Sequence, residues 1–309
     1  MIDLKVSLNY SEYSYIDRAK SFDHFCTENY PNTDLVSEPL VMNWLRKDSE
    51  ENSGTFHRKA AFTRALAAYQ RSVGKDAYVL PTSFSSGRNT FVPYILTDEE
   101  LTRLFHEIDT DQRKSNPFES TLMSVYFRLT YTCGLRPGES RNLRRCEVDL
   151  HSGEIRIVNS KWHKSRTIVM SEDMCALVRK YAAIRDVAFP ESEYFFPNRK
   201  GDAYSATVMT TRLNKFFAMS YPEVPPDLLP AIRVYDLRHR FATAAMHRWI
   251  DQGVDLQSRL PYLQTYMGHK DLNATAYYIH LLPERLVASA GIDWEGMRCI
   301  FPKVELWVE

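Results

Sequence analysis

Two stretches far apart in the chain restrict its fold more than anything else in it, because their chemistry is useful only if they meet. The first reads Thr132-Cys133-Gly134-Leu135-Arg136-Pro137-Gly138-Glu139. The second runs from Ile232 to His280 and carries Arg238, His239, His269 and the adjacent Tyr277 and Tyr278. Lys161 and Lys164 lie between them. Guanidiniums grip phosphate oxygens and a hydroxyl attacks phosphorus, so arginines, a lysine, a histidine and a tyrosine suit a phosphoryl-transfer site. Taken alone, the same residues also fit a helical domain whose arginines face water.

Size and charge bear on the choice. A chain of 309 residues, 44% of them hydrophobic, can build two domains with separate cores. The formal net charge is zero, which is not the basic balance expected of a DNA-binding protein. The charge is uneven, however. Arg58, Lys59, Arg64, Arg71, Lys75 and Arg88 gather early in the chain, and a second basic run spans residues 136–166. Acid collects instead at Asp48, Glu50 and Glu51 and around Asp98-Glu99-Glu100. Basic faces with acidic backs satisfy both facts. The cysteines (Cys26, Cys133, Cys146, Cys175, Cys299) are scattered and form no Cys-x-x-Cys pair. They read as buried small hydrophobes in a reducing cytosol, with no metal site. The first residues lack a signal-peptide pattern and no apolar run reaches membrane-spanning length, so a soluble, cytoplasmic protein is expected.

Periodicity sets the organisation. Residues 11–79 read as a small helical domain: Tyr15, Ala19, Phe22 and Phe25 fall at helical spacing with Ser14 as cap. Pro39 opens a second helix and Phe56 to Tyr69 lie on a third. The Pro- and Ser-rich stretch 81–94 reads as a linker. Thr97-Asp98-Glu99-Glu100 then signals a helix start whose buried face is Leu101, Leu104, Phe105 and Ile108. Residues 109–117 read as a polar loop, followed by a helix ending near Gly134. Alternation from Gly153 to Met170 predicts a small hairpin, with Lys161 in its turn region. Further helices are expected over Glu172–Val187, Thr207–Met219, Leu237–Trp249 and Leu260–Met267, with a short one over Leu272–Tyr278. In the helix after Leu237, Phe241, Ala244 and Ala245 are expected to point inward. The tail from Pro283 ends in Val304, Leu306, Trp307 and Val308, which should bury against this domain or a neighbour.

The two clusters resemble the signature of the tyrosine recombinases, the phage-integrase type of site-specific DNA recombinase, over residues 95–280. Gly134-Leu135-Arg136 with Glu139, the Asp236-Leu237-Arg238-His239 run before Phe241-Ala242-Thr243, and Gly268-His269 carry the likeness. So does Tyr278, nine residues past His269. The resemblance implies roles. Arg136 and Arg238 clamp opposite oxygens of a DNA phosphate, and Tyr278 rather than Tyr277 attacks it to give a 3′-phosphotyrosyl link. Lys161, in preference to Lys164, protonates the leaving 5′-oxygen, and His269 bonds the phosphate. Glu139 orients Arg136, and His239 matches a usually structural histidine. No metal or cofactor is implied, since guanidiniums take the metal's part. The sequence departs from the pattern at Tyr235, where the family usually has histidine. A phenol donates a hydrogen bond but adds no positive charge. An active but slower enzyme is expected, in which Tyr235→His retains or raises cleavage.

The fold implied is mainly α with a small antiparallel β-sheet. A helical N-terminal core-binding domain (1–80) and the linker (81–94) precede a mixed catalytic domain (95–309), forming a clamp on duplex DNA. Arg58, Lys59, Arg64, Arg71 and Arg88 would touch DNA phosphates, with Lys164 assisting. Expected partners are double-stranded DNA, further copies in a tetrameric synapse, and an accessory directionality factor, in the setting of a mobile element. Two rival activities remain: a type IB topoisomerase-like nicking-closing enzyme, and a catalytically impaired, recombinase-derived DNA-binding protein.

Overall fold

The structure, a computed structural model, describes residues 1–8, 12–46, 53–84, 93–110, 117–158 and 165–281. It divides into two compact units, Met1–Val92 and Pro93–Glu309. Arg88, Lys161, Lys164, Cys299 and the tail from Pro283 lie outside the described residues.

The first unit is helical: α1 Ile2–Ser7, α2 Glu12–Asn29, α3 Glu38–Trp44 and α4 Ser53–Ser72. Helix α2 begins before Ser14, so that residue sits inside the helix rather than capping it. Pro39 stands in the first turn of α3, where its missing N–H costs nothing. Small residues on α4 let it pack closely: Ala60, Thr63 and Ala67 are buried beside Phe62. The rings of Phe22 and Trp44 meet edge-on at 5.3 Å, and Phe22 meets Phe62 at 5.7 Å. The Gln70 side chain ties α4 to the preceding loop, accepting from Val36 N at 2.9 Å and donating to Asp34 O at 2.8 Å.

The second unit opens with α5, Asp98–Thr110. Its start is a reciprocal cap: Thr97 Oγ1 accepts from Glu100 N at 3.1 Å, and Glu100 Oε2 accepts from Thr97 N at 2.7 Å. Asp109 belongs to this helix and not to a loop, because its carboxylate holds Arg128 (2.6 Å) and Ser124 (2.8 Å) of α6, Pro117–Thr132. Then follow α7 Pro137–Arg141, β1 Glu154–Ile157, β2 Arg166–Val169, α8 Glu172–Ala188 and α9 Ala206–Met219. The chain goes on through α10 Val234–Asp251, α11 Leu256–Met267 and α12 Asn273–Ala276 to a 3₁₀ turn, Tyr277–Leu281. Strands β1 and β2 pair antiparallel, Glu154 opposite Val169 and Ile157 opposite Arg166. Their buried faces are Ile155 and Ile157 on one strand and Ile168 on the other. An aromatic knot of Tyr126, Tyr181, Phe195 and Phe196 anchors α6 to α8, with ring centroids 5.0–5.4 Å apart.

Two helix starts lie earlier than hydrophobic spacing suggests. Helix α10 begins at Val234 because the buried Asp236 accepts from Arg233 N at 2.8 Å, closing the first turn. Helix α11 begins at Leu256 because Asp255 caps Gln257 N (3.1 Å) and Ser258 N (3.0 Å). Pro261 therefore lies inside α11 and does not start it. In the second half of α10 the buried residues are Ala242, Thr243 and Met246, whereas Phe241, Ala244 and Ala245 are only half-buried. Phe241, half-buried, stacks on Tyr266 at 5.6 Å. It also fills the space over Gly134, where a Cβ would lie 2.5 Å from its ring.

Candidate active site

Two left-handed glycines prepare the site. Helix α6 stops and the chain turns at Gly134 (φ 56°); α11 stops at Gly268 (φ 63°). Side-chain-bearing residues rarely hold that conformation, which frees the last carbonyls of each helix to point at a partner. Arg136 follows the first turn and His269 the second.

The two arginines take those carbonyls crosswise. Arg238 is 0% exposed; its Nη1 donates to the Gly134 carbonyl at 2.6 Å and its Nη2 to the Met267 carbonyl at 2.7 Å. Arg136 donates to the Gly268 carbonyl and, at 2.7 Å, to Glu139 Oε1. Each stretch is thus fastened to the other by its own arginine. The carbonyl ends of two helices carry partial negative charge, which helps to hold cations there. A third guanidinium completes the cluster. Arg166 on β2 straddles Glu139, with Nη1 to Oε1 at 2.9 Å and Nη2 to Oε2 at 2.8 Å. Arg136 and Arg166 share one carboxylate, and Arg238 adds a guanidinium that bonds no acid among the described residues, so the centre is positive. Burial, and then the charge of Arg136, push the Arg238 pKa down. An anion placed there would relieve that cost.

His269 is neutral at ordinary pH. Its Nε2 lies 2.9 Å from Arg238 Nη2, which only donates, so Nε2 accepts. The proton therefore sits on Nδ1, which donates to Thr275 Oγ1 at 2.7 Å. Burial, then the charges of Arg238, Arg136 and Arg166, bring its pKa down to about 3. Burial likewise brings His239 down to about 4. Both values lie below the ordinary histidine value of about 6.5. As pH falls through that value, the unfolded chain takes up protons that the folded chain refuses. The stability contributed is complete above about 6.5 and is lost as pH drops towards the folded values. The thermal midpoint should fall steeply between pH ~6.5 and ~4. His269→Gln and His239→Gln should each flatten that fall in scanning calorimetry.

Tyr278 lies in the 3₁₀ turn, 2% exposed, with its ring nearly parallel to that of His269 at 5.9 Å. Burial pushes its phenol up to about 12, while the charges of Arg238 and Arg136 pull it down. The adjacent Tyr277 is 40% exposed. Tyr235 stands in the first turn of α10, its ring 4.8 Å from that of His239. Its exposed edge lines an open basin of about 970 Å³ together with Arg136, Asn142, Arg144 and Arg156. His239 also lies 5.5 Å from the Tyr278 ring, and its Nδ1 is buried without a hydrogen-bond partner.

The structure thus brings together Arg136, Glu139, Tyr235, Arg238, His239, His269 and Tyr278. Lys161 and Lys164 are outside the described residues. In the first unit, Arg58 donates to Thr55 Oγ1 at 3.0 Å and Lys59 lies over the Trp44 ring at 4.7 Å. Arg64 donates to the carbonyls of Leu80, Pro81 and Phe84, and Arg71 to that of Ala77 at 2.7 Å, so both close turns of their own unit. Sequence reasoning missed Arg166 and Thr275. Arg166 reads there as one more strand residue in a basic run, and nothing local marks its partner Glu139.

Among the described residues, no helix is long and apolar enough to cross a membrane. The model of the phage integrase family matches residues 95–285. "Putative integrase/recombinase y4rE" of Sinorhizobium fredii is 33% identical over 290 residues, covering 90% of this chain and 88% of that one. The tyrosine recombinase XerC of Staphylococcus saprophyticus is 24% identical over 291 residues, covering 92% and 91%. Among solved structures, the XerH site-specific recombinase bound to palindromic difH substrate, a post-cleavage complex, is similar with a TM-score of 0.68. It is 19% identical, and the match covers 92% of this chain and 80% of that one.

Proposed function

This chain belongs to the phage integrase family, and from that premise we propose that it is a site-specific DNA recombinase working through Tyr278. One observation carries the reading: the phenol of Tyr278 is buried against Arg238, with Arg136 and a neutral His269 in the same cluster. A DNA phosphodiester laid on this centre would put its non-bridging oxygens against the two guanidiniums. It would offset the positive charge and draw Arg136 and Arg238 off their carbonyls. The Tyr278 oxygen then bonds to phosphorus as the bond to the 5′-oxygen breaks. The phenol gives its proton to water and the leaving oxygen gains one, donated by Lys161 in our assignment. The phosphodiester energy is kept in the 3′-phosphotyrosyl link, so rejoining is the same step reversed.

The remaining assignments follow from the same reading. Glu139 orients Arg136, and His239 supports the rings of Tyr235 and Tyr278. Tyr235 donates to the phosphate in place of a histidine. The unit before Pro93 serves as the core-binding domain, its basic residues contacting phosphates, and binding weakens steeply with salt. Exchanging strands between two duplexes, each cut on both strands, takes four tyrosines, so the working assembly is a tetramer of paired dimers. A directionality factor is compatible with this assembly.

The test is a nicked suicide duplex carrying the sequence recovered by selection from random duplex DNA. A covalent protein–DNA adduct with a free 5′-hydroxyl is the expected product. Absence of any adduct would make this a DNA-binding relative without the chemistry. Relaxation of supercoils with no strand exchange between two sites would make it a nicking-closing enzyme.

A further inference from the structure

We propose that Arg166 is a positioning residue that sets the Arg136 guanidinium for the phosphate, acting through Glu139 and the end of α11. The proposal rests on the reading of Tyr278 as the nucleophile. Three separate observations support it. First, Glu139 is held on both oxygens from both sides. Oε1 receives Arg136 Nη1 (2.7 Å) and Arg166 Nη1 (2.9 Å); Oε2 receives Arg136 N (2.8 Å) and Arg166 Nη2 (2.8 Å). A carboxylate has about four acceptor directions, and these bonds stop it from turning. Without Arg166, two of them go, and the acceptor that aims Arg136 loses its hold from one side.

Second, Arg166 Nε donates to the Tyr266 carbonyl at 2.8 Å, two residues before the Gly268 carbonyl that takes Arg136. Arg166 therefore grips both anchors of Arg136, the carboxylate and the helix end. Third, its side chain occupies the space over Gly268. A Cβ there would lie 2.9 Å from Arg166 Nη1 and 3.2 Å from its Cδ. The side chain is 9% exposed, so its geometry is set by packing. Only a planar fork can serve both carboxylate oxygens while a third donor reaches a carbonyl; an ammonium cannot.

The experiment compares two suicide duplexes of the selected sequence, one with the ordinary scissile phosphate and one with a methylphosphonate there. The methylphosphonate is uncharged, so it relieves the demand for an arginine clamp. With the ordinary phosphate, Arg166→Lys and Arg166→Ala should slow adduct formation on the order of 10–100-fold, the usual cost of losing a supporting partner. With the methylphosphonate both defects should shrink, as should that of Arg136→Ala. Glu139→Gln, which keeps the side-chain size, should follow the same pattern and carries the test if Arg166→Ala does not fold. A merely structural role would slow both substrates by the same factor, and that result overturns the proposal. So does an Arg166→Lys variant that cleaves the ordinary phosphate at the parent rate. No adduct from the parent chain itself would instead overturn the reading of Tyr278, and this proposal with it.

Discussion

Tyr278→Phe removes the covalent adduct altogether, while Tyr277→Phe leaves it close to the parent level. The two residues are neighbours in a 3₁₀ turn, where successive side chains point roughly 120° apart. Only one of them can face the arginine cluster, and it is Tyr278, 2% exposed and within reach of the charges of Arg238 and Arg136, while Tyr277 is 40% exposed. Loss of an enzyme's nucleophile costs on the order of 10⁴–10⁶ in rate, far more than any other change proposed for this chain. The phenylalanine ring keeps the contacts with His239 and His269, so the variant should fold and still bind DNA. Denaturing gels of the suicide reaction read the adduct, and peptide mapping of the parent adduct reads its position. A label on Tyr277 would reverse the assignment.

Arg238→Met separates activity from stability. The methionine retains most of the stem volume and removes the charge. Three contacts are lost, to the carbonyls of Gly134 and Met267 and to His269. Each acceptor left dry costs about 1–3 kcal/mol. Against that, the buried cation is itself expensive: desolvation of an ion costs several kcal/mol even after relaxation. The lowered pKa of Arg238 shows that burial penalises its charged form. The two effects largely offset, so the thermal midpoint should move by only a few degrees, whereas adduct formation should fall by at least ~10²–10³. A collapse of the fold in Arg238→Met would show that its hydrogen bonds outweigh its desolvation. Unchanged cleavage would remove Arg238 from the chemistry.

Much of this was legible in the order of residues. Gly134-Leu135-Arg136, Arg238, Gly268-His269 and Tyr278 were readable through their resemblance to the tyrosine recombinase signature; taken alone, the same residues also fit a helical domain with solvent-facing arginines. The mainly helical plan with one small hairpin followed from apolar periodicity alone. Other features were hidden for identifiable reasons. Asp109 looks like loop composition until Arg128 and Ser124 of the next helix claim its carboxylate. Hydrophobic spacing starts a helix at Leu260, yet the side chain of Asp255 caps it earlier, so a local hydrogen bond sets the boundary. The role of Arg166 depends on a carboxylate contributed by a different element, and no short-range pattern records such a pair. Nor does any pattern record that Tyr278 is shielded from water, since that depends on how α10, α11 and the last turn pack.

The crosswise hold of Arg136 and Arg238 on peptide oxygens has a consequence for how such a protein can change. Amide oxygens are the same whatever residue bears them, so part of the hold on each guanidinium is set by the path of the main chain, while the contacts with Glu139 and His269 depend on the identity of a neighbour. Surfaces that read DNA sequence can then diverge, or be exchanged for those of another lineage, while the reaction machinery stays in tune. Retargeting this protein should succeed wherever the two glycine corners and the Glu139–Arg166 pair are left untouched.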